Sequence, residues 1–432
     1  MPTPEPGQPD RVESPVNAVP DRLERWVFFV ATALIAFRVL DDNFIQPESG
    51  TGAADHLLSG LVPLAALAVV AVAYPGRRPG ARAVIAALVG GFGVAAGLEG
   101  WHYLNSASVS GDDFSSLLSF PAGLILLALA CLTLWTSRRT DDGHVWRYTR
   151  RALIGLAAAV VGLLVVVPFL SAYGYTHLAR GFVPEAELGT TYEEVAFTTE
   201  DGLELEGWYV PSENGAAVIS FAGRKGTQDP ARLLAGHGYG VLLFDRRGEG
   251  ESDGEPNSLG WGGYRDVDAA VDFLVARGID RERIGGIGQS VGGEMMLEAA
   301  ARSAGLQAVV SEGAGIRSDR EAGELSDAGP LADLNMKLLS AGVSLFSNES
   351  KPPNLLDLIG EIAPRPVMLI YAVDGQGGEE LNEQYYEAAG EPRELWAVAE
   401  GGHVGSQAAQ PEEFERRVVG FFDDALLGDR PE

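Results

Sequence analysis

The feature that most constrains this chain is the concentration of long apolar runs within its first 175 residues. Four of the five runs are about 18–24 residues long, enough for a helix to cross a hydrocarbon core of roughly 30 Å. Helix is the expected form, because backbone polar groups in lipid must be satisfied within the segment. The runs are Trp26–Leu40, Leu57–Tyr74, Ala83–Leu104, Leu117–Thr136 and Ala152–Tyr175. They predict an all-α transmembrane region of about five helices over residues 26–175.

Arginine is distributed unevenly among the loops between these runs. The loops Asp41–His56 and Asn105–Ser116 contain no Lys or Arg. The segment before the first run and the other two loops all contain arginines. Those arginines are Arg11, Arg22, Arg25, Arg77, Arg78, Arg82, Arg138, Arg139, Arg147, Arg150 and Arg151. Basic loops stay in the cytoplasm. The pattern therefore predicts a multi-pass protein of the cell membrane with a disordered, cytoplasmic leader at residues 1–25 and the C-terminal domain outside the cytoplasm.

The charge is concentrated in the second half of the chain. Residues 1–175 carry 14 acidic and 12 basic side chains, whereas residues 176–432 carry 46 and 20. A surface this acidic argues against nucleic acid as a partner, because phosphate binding needs positive charge. The single cysteine, Cys131, excludes disulfides within the chain and metal sites built from several cysteines. We expect no metal and no cofactor, and the sequence does not indicate a protein partner.

From Thr191 the pattern changes to short β-rich runs that alternate with amphipathic helical stretches. Strand–helix alternation with continuously apolar strands is typical of a mostly parallel sheet covered by helices on both faces. The sequence therefore predicts a linker at residues 176–190 and an α/β domain at 191–428. A longer mixed stretch, 312–363, interrupts this alternation and is expected to be a lid-like insertion.

The pattern G-x-S-x-G, typical of a nucleophilic serine between a strand and a helix, occurs twice. Ser290 follows the apolar run RIGGIG and precedes the helical stretch VGGEMMLEAAA, with glycines on both sides of the turn. Ser252 lies in DRRGEGESDGEP, where no helix follows. The context favours Ser290 as the nucleophile and indicates that Ser252 is a loop residue.

At this point the chain resembles the α/β-hydrolase superfamily, and most closely its dienelactone-hydrolase-like and serine-aminopeptidase-like members. The resemblance rests on GQSVGG around Ser290, on FDRRGEGES after the fourth strand and on GGH near the C-terminus. It covers about Tyr192 to Leu427. It implies a mostly parallel eight-stranded sheet and a catalytic triad in the order serine, acid, histidine.

The resemblance also implies the roles of individual residues. His403 matches the histidine of the triad and would act as general base toward Ser290. The acid is expected after the strand VMLIYA, which points to Asp374, while Glu379 and Glu380 remain open. Two backbone N–H groups would form the oxyanion hole, one from Val291 and one from Arg224, if Gly223 is matched to the glycine of the family.

These expectations together describe a membrane-anchored serine hydrolase that cleaves an ester or related acyl bond through an acyl-enzyme. The implied partners are a small-molecule or lipid-like acyl substrate and the lipid bilayer. Two alternatives stay open: an acyltransferase that acts on lipid or glycan hydroxyls, and a non-catalytic receptor whose hydrolase-like domain binds a ligand.

Overall fold

The computed structural model of the 432-residue chain describes residues 21–106, 113–136, 146, 149–150, 153–155, 162–177, 179–222, 224, 226–325, 329–375 and 377–428. Several expectations fall outside these residues. They include most of the leader 1–25, a large part of the fifth apolar run, Gly223 and the loop arginines 138, 139, 147 and 151.

Most of the described N-terminal region is helical, and residues 46–56 form a non-helical loop. Its helices are α1 (Asp21–Leu40), α2 (Leu57–Ala73), α3 (Pro79–Ala95), α4 (Leu98–Ser106), α5 (Ser116–Thr136) and α6 (Val167–Thr176). Two of the described helical stretches, Leu57–Gly76 and Ser116–Thr136, are long and apolar enough to cross a membrane. The third apolar run is divided between α3 and α4. The expected count of five spanning helices therefore stays a prediction.

Glycines allow α3 and α5 to pack closely. A Cβ atom added at Gly123 would lie 2.5 Å from the backbone nitrogen of Val94, and one added at Gly90 would lie 2.8 Å from the carbonyl oxygen of Gly123. Small residues let helix backbones approach in this way. One buried charged group of the region pairs within it: Arg38 contacts Glu99 at 2.7 Å and Asp42 at 2.8 Å.

The second region is built on a sheet of eight strands in the order β1-β2-β4-β3-β5-β6-β7-β8. The strands are β1 (Glu193–Thr198), β2 (Glu204–Val210), β3 (Ala217–Phe221), β4 (Gly240–Phe244), β5 (Ile284–Gln289), β6 (Ala308–Glu312), β7 (Val367–Ala372) and β8 (Arg393–Val398). The pairs β1–β2 and β2–β4 are antiparallel, and the other five pairs are parallel. The mostly parallel eight-stranded sheet that the resemblance implies is confirmed.

Helices cover both faces of this sheet, as continuously apolar strands require. Alternate residues of β4 point to opposite faces, so that Leu242 and Phe244 join one core while Val241 and Leu243 join the other. The remaining helices are α7 (Asp229–Gly236), α8 (Tyr264–Ala276), α9 (Val291–Arg302), α10 (Asp319–Leu325), α11 (Gly329–Ser347), α12 (Leu355–Leu358), α13 (Leu381–Ala388), α14 (Ser406–Ala409) and α15 (Pro411–Phe422).

The 312–363 insertion contains α10, α11 and α12, and its longest helix packs on the N-terminal region. A Cβ atom added at Gly342 of α11 would lie only 2.6 Å from the Cβ of Ala172 of α6. Around this crossing, Val343 and Phe346 share an apolar cluster with Tyr173 and with Trp261 of the sheet domain. The insertion is therefore held between the sheet domain and the N-terminal helices.

The segment between α1 and α2 also contacts the sheet domain. The Gly254 N–H donates to the carbonyl oxygen of Ser49 at 2.8 Å, and Glu48 pairs at 2.6 Å with Arg180 of the linker, which itself donates to the Gly254 carbonyl oxygen. The buried ring of His56 and the partly buried carboxylate of Glu255 lie 2.8 Å apart. These contacts place the Lys- and Arg-free segment Asp41–His56 on the side of the helical region that faces the sheet.

Candidate active site

Ser290 lies in a strained turn between β5 and α9. Its φ of 53° and ψ of −127° are unusual for a residue with a side chain, and such strain is common at functional sites. Glycine is needed on both sides of it: a Cβ atom at Gly288 would lie 2.3 Å from the carbonyl oxygen of Gly292, and one at Gly292 would lie 2.4 Å from that of Phe221. The local sequence thus forms a sharp turn that presents the Ser290 hydroxyl at the carboxyl edge of the sheet.

His403 comes to this edge from the loop after β8. Its Nε2 lies 2.8 Å from the Ser290 Oγ, although 113 residues separate the two in the chain. Gly313, which follows β6 and has a φ of 69°, allows the close approach, because an added Cβ would lie 3.3 Å from the Cε1 of His403. The expected pair of serine and histidine is therefore in contact.

The carboxylate beside the histidine belongs to Glu379. Its Oε1 lies 2.5 Å from the His403 Nδ1, and its Oε2 accepts a hydrogen bond from the Ala372 N–H at 2.8 Å, at the end of β7. Only 1% of the Glu379 side chain is exposed. The hydroxyl, the imidazole and the carboxylate form one continuous chain of hydrogen bonds, the geometry of an activated nucleophile.

The expectation that Asp374 contacts the histidine does not match the structure. The exposed Asp374 Oδ1 accepts hydrogen bonds from the N–H groups of Gly401 and Gly402, at 3.3 and 3.0 Å. The reason is the path of the loop after β7, which turns back so that Glu379 reaches the end of the strand. Asp374 thus holds the backbone that carries His403, Glu379 holds its ring, and Glu380 is exposed.

Of the two backbone N–H groups expected to form the oxyanion hole, that of Arg224 already has another partner. Val291 is the first residue of α9, where N–H groups lack partners within the helix, so its N–H remains a candidate donor. The Arg224 N–H donates instead to the Asp245 Oδ1 at 3.0 Å, and the Arg224 Nε donates to the Oδ2 at 2.9 Å. The backbone donor assigned to Arg224 is thus occupied by Asp245. Burial raises the pKa of Asp245, and the Arg224 guanidinium opposes this rise.

Ser252 and Glu312 both make hydrogen bonds that hold the loops around the site in place. The Ser252 hydroxyl is fully buried; it donates to the Asp245 carbonyl oxygen at 2.6 Å and accepts from the Glu206 N–H at 2.9 Å. Glu312 was not indicated as a site residue by any sequence motif. Its carboxylate accepts hydrogen bonds from the Gln289 side chain at 2.7 Å and from the Ser406 N–H at 2.9 Å. Glu312 thereby joins the turn before Ser290 to the helix after His403. The available signal was an acidic residue at the end of the apolar strand AVVSE.

Within the described residues, no group of three or more His, Cys, Asp or Glu side chains could hold a metal ion.

A protein-family model matches part of this chain. The model of the X-Pro dipeptidyl-peptidase (S15) family matches residues 180–357, a range that contains Ser290 and ends before Glu379 and His403. The structure adds three features to this match: the eight-stranded sheet in the order given above, a serine in a strained strand-to-helix turn, and a histidine after the last strand. The chain has the α/β-hydrolase fold.

Individual relatives of the hydrolase domain are distant. The YfhR protein of Salmonella typhi is 27% identical over 248 residues, which are 54% of this chain and 80% of the relative. Thiohydrolase aneE of Aspergillus aculeatus is 34% identical over 137 residues, 28% of this chain and 41% of the relative. The solved structure of the Pyrococcus furiosus esterase Pf2001 has a TM-score of 0.48 and 24% identity, covering 59% of this chain and 100% of the esterase.

Proposed function

We propose that this protein is a membrane-anchored serine hydrolase that cleaves an ester or related acyl bond. The observation that carries the proposal is the linear arrangement of Ser290, His403 and Glu379, with 2.8 Å between Oγ and Nε2 and 2.5 Å between Nδ1 and Oε1. Matches to a peptidase family and to a thiohydrolase support acyl chemistry and leave ester, thioester and amide bonds open.

The chemistry follows from these contacts. The Ser290 Oγ attacks the acyl carbon while the His403 Nε2 accepts its proton, and the same nitrogen then gives that proton to the leaving group. Water attacks the resulting acyl-enzyme with His403 again as general base, which releases the acid and restores the serine. Glu379 holds the imidazole through Nδ1 and stabilises its charged form. The Val291 N–H stabilises the oxyanion of each tetrahedral intermediate.

The proposal includes the membrane. Two described helical stretches have the length and apolar character of spanning segments. The segment Asp41–His56 and the C-terminal end of α6 both contact the hydrolase domain, so that an arginine-free loop and the end of the fifth run face the same side. With the arginine-rich flanks in the cytoplasm, the hydrolase domain lies outside it. The bilayer and an acyl substrate are the proposed partners.

The test of the catalytic part is labelling of the full-length, detergent-solubilised protein with a fluorophosphonate that reacts with activated serines. We expect the wild-type protein and Ser252→Ala to be labelled and Ser290→Ala to remain unlabelled. Ser252→Ala is a matched control, because Ser252 lies in the other G-x-S-x-G sequence. Labelling of Ser290→Ala at the wild-type rate would contradict the proposed nucleophile.

The topology is tested separately by fusing a reporter to the C-terminus. A reporter that is active only outside the cytoplasm is expected to be active, and one that is active only inside it is expected to be silent. The opposite result would contradict the proposed position of the hydrolase domain outside the cytoplasm.

A further inference from the structure

A cavity of about 220 Å³ lies at the start of α9, one residue beyond the candidate nucleophile in the chain. Its wall is mainly apolar and includes Val291, the residue that follows Ser290 in the chain. The neighbouring wall consists of Leu259 from a loop of the hydrolase domain and of Met336 and Leu339 from α11. A group covalently attached to Ser290 would therefore have an apolar compartment next to it.

The N-terminal helical region contributes Tyr175, the penultimate residue of α6, to the same wall. The position of Tyr175 is held by the hydrolase domain, because the N–H and the Oγ of Ser258 both donate to its carbonyl oxygen, at 2.9 and 3.1 Å. The close contact of Gly342 with Ala172 holds α11 against the same helix. The cavity is thus lined by residues from the helical region, from the insertion and from the turn that carries the nucleophile.

The charged residues that reach this cavity are paired with one another. The buried guanidinium of Arg317 contacts the carboxylates of Glu294, at 3.4 Å, and Glu298. The Glu294 carboxylate also accepts a hydrogen bond from the Gly315 N–H at 3.2 Å. Because this cluster already contains both signs of charge, the cavity does not need a charged ligand, and its apolar surface favours a hydrocarbon.

We propose that this cavity binds the aliphatic chain of the acyl group that is transferred to Ser290, and that the N-terminal helices form part of the substrate site. This inference rests on the proposed hydrolase function and specifies its substrate class. Pockets for drug-sized ligands usually measure about 300–1,000 Å³, so a smaller cavity fits a short or medium straight chain. Tyr175 and Ile316, which are 40% and 39% exposed, give the wall an open apolar edge.

Burial of methylene groups predicts a defined chain-length dependence. Each methylene that enters the cavity is expected to raise kcat/KM about threefold to fourfold. From acetate to hexanoate the increase is expected to exceed about tenfold even with incomplete burial. Palmitate esters, whose chain exceeds the cavity, are expected to show no further increase.

The experiment compares p-nitrophenyl acetate, hexanoate and palmitate as substrates of the full-length protein in detergent, alongside fluorophosphonate labelling. Leu339→Trp, which fills the cavity, is expected to lower the hexanoate-to-acetate ratio of kcat/KM toward one. Leu331→Trp is the matched control, because Leu331 lies on the same helix, is 62% exposed and is not part of the wall. Its ratio is expected to equal that of the wild type.

Tyr175→Ala tests the contribution of the helical region, since removing the ring lengthens the cavity and is expected to move the preferred chain length upward. A wild-type protein that is labelled at Ser290 but shows equal kcat/KM for acetate and hexanoate overturns this inference and leaves the hydrolase proposal standing. Equal effects of Leu339→Trp and Leu331→Trp overturn it as well. A folded wild-type protein that is neither labelled nor active on acetate overturns the hydrolase proposal, and this inference with it.

Discussion

The Glu379 Oε1 lies 2.5 Å from the His403 Nδ1, and the other oxygen of the same carboxylate is held by the Ala372 N–H at the end of β7. The side chain that orients the imidazole is therefore itself fixed to the sheet. Asp374, which follows the same strand more closely, holds the backbone of the histidine loop instead. The two carboxylates therefore have different roles: Glu379 orients the imidazole ring, and Asp374 orders the loop.

Glu379→Gln is expected to lower kcat by about three to four orders of magnitude, because an amide does not stabilise the imidazolium and allows the wrong tautomer. Asp374→Asn is expected to cost less than about tenfold, since an amide oxygen still accepts the two backbone hydrogen bonds. The effects of both substitutions are measured by the rate of ester hydrolysis and by the rate of fluorophosphonate labelling. If Asp374→Asn were the more damaging change, Glu379 would not be the acid of the triad.

Gly292→Ala is expected to abolish labelling at Ser290, because the added Cβ would lie 2.4 Å from the Phe221 carbonyl oxygen and would displace the turn. Gly420→Ala is the control: it lies within α15 with no atom within 4 Å of the added Cβ. Replacing a helical glycine by alanine is favourable by about 1 kcal/mol. Gly420→Ala is therefore expected to keep full labelling and an equal or higher melting temperature. Normal labelling of Gly292→Ala would contradict the described turn.

Arg317→Met is expected to lower the free energy of unfolding by about 3–5 kcal/mol, because it leaves the Glu294 carboxylate buried without its cation and leaves Glu298 paired only with the partly exposed Arg302. Arg281→Met removes an exposed ion pair with Asp272 and is expected to cost less than about 1 kcal/mol. Urea unfolding in detergent, followed by tryptophan fluorescence, compares the two. Equal losses would show that the buried cluster does not stabilise the fold.

Asp201 provides a prediction on acid stability. Burial alone raises its pKa, but hydrogen bonds from Arg247 and Thr199 outweigh burial and lower the pKa to about 2, below the ordinary 3.8. A carboxyl group whose pKa is lower in the folded state stabilises the fold above its unfolded pKa, and the effect is lost as the pH falls through the folded value. The stability difference between wild type and Asp201→Asn is therefore expected to be full above about pH 4 and to shrink toward pH 2.

Melting temperatures at pH 7, 4 and 2.5 measure this difference. Glu200→Gln, a change at the neighbouring exposed carboxylate, is the control and is expected to show no comparable pH dependence. A constant difference between wild type and Asp201→Asn at all three pH values would contradict the role of Arg247.

Local sequence patterns were sufficient for the elements with strong periodicity or strict steric needs. The apolar strands and the Gly-x-Ser-x-Gly turn around Ser290 belong to this class, because a strained strand-to-helix turn requires small neighbours wherever it occurs. The histidine was implied by the resemblance to the α/β-hydrolase superfamily, whose histidine follows the last strand. The two serine motifs were separable because Ser252 lacks a following helix.

The chain by itself indicated a mostly parallel α/β sheet and the turn at Ser290, because apolar strand runs and small flanking residues are local patterns, and the resemblance to the α/β-hydrolase superfamily implied the role of His403. Only the tertiary structure decided that Glu379 rather than Asp374 contacts the histidine, that the Arg224 N–H is held by Asp245, and that Tyr175 reaches the cavity beside Val291. The physical reason is that these contacts depend on the paths of irregular loops and on the packing of distant helices, neither of which leaves a periodic pattern in the sequence.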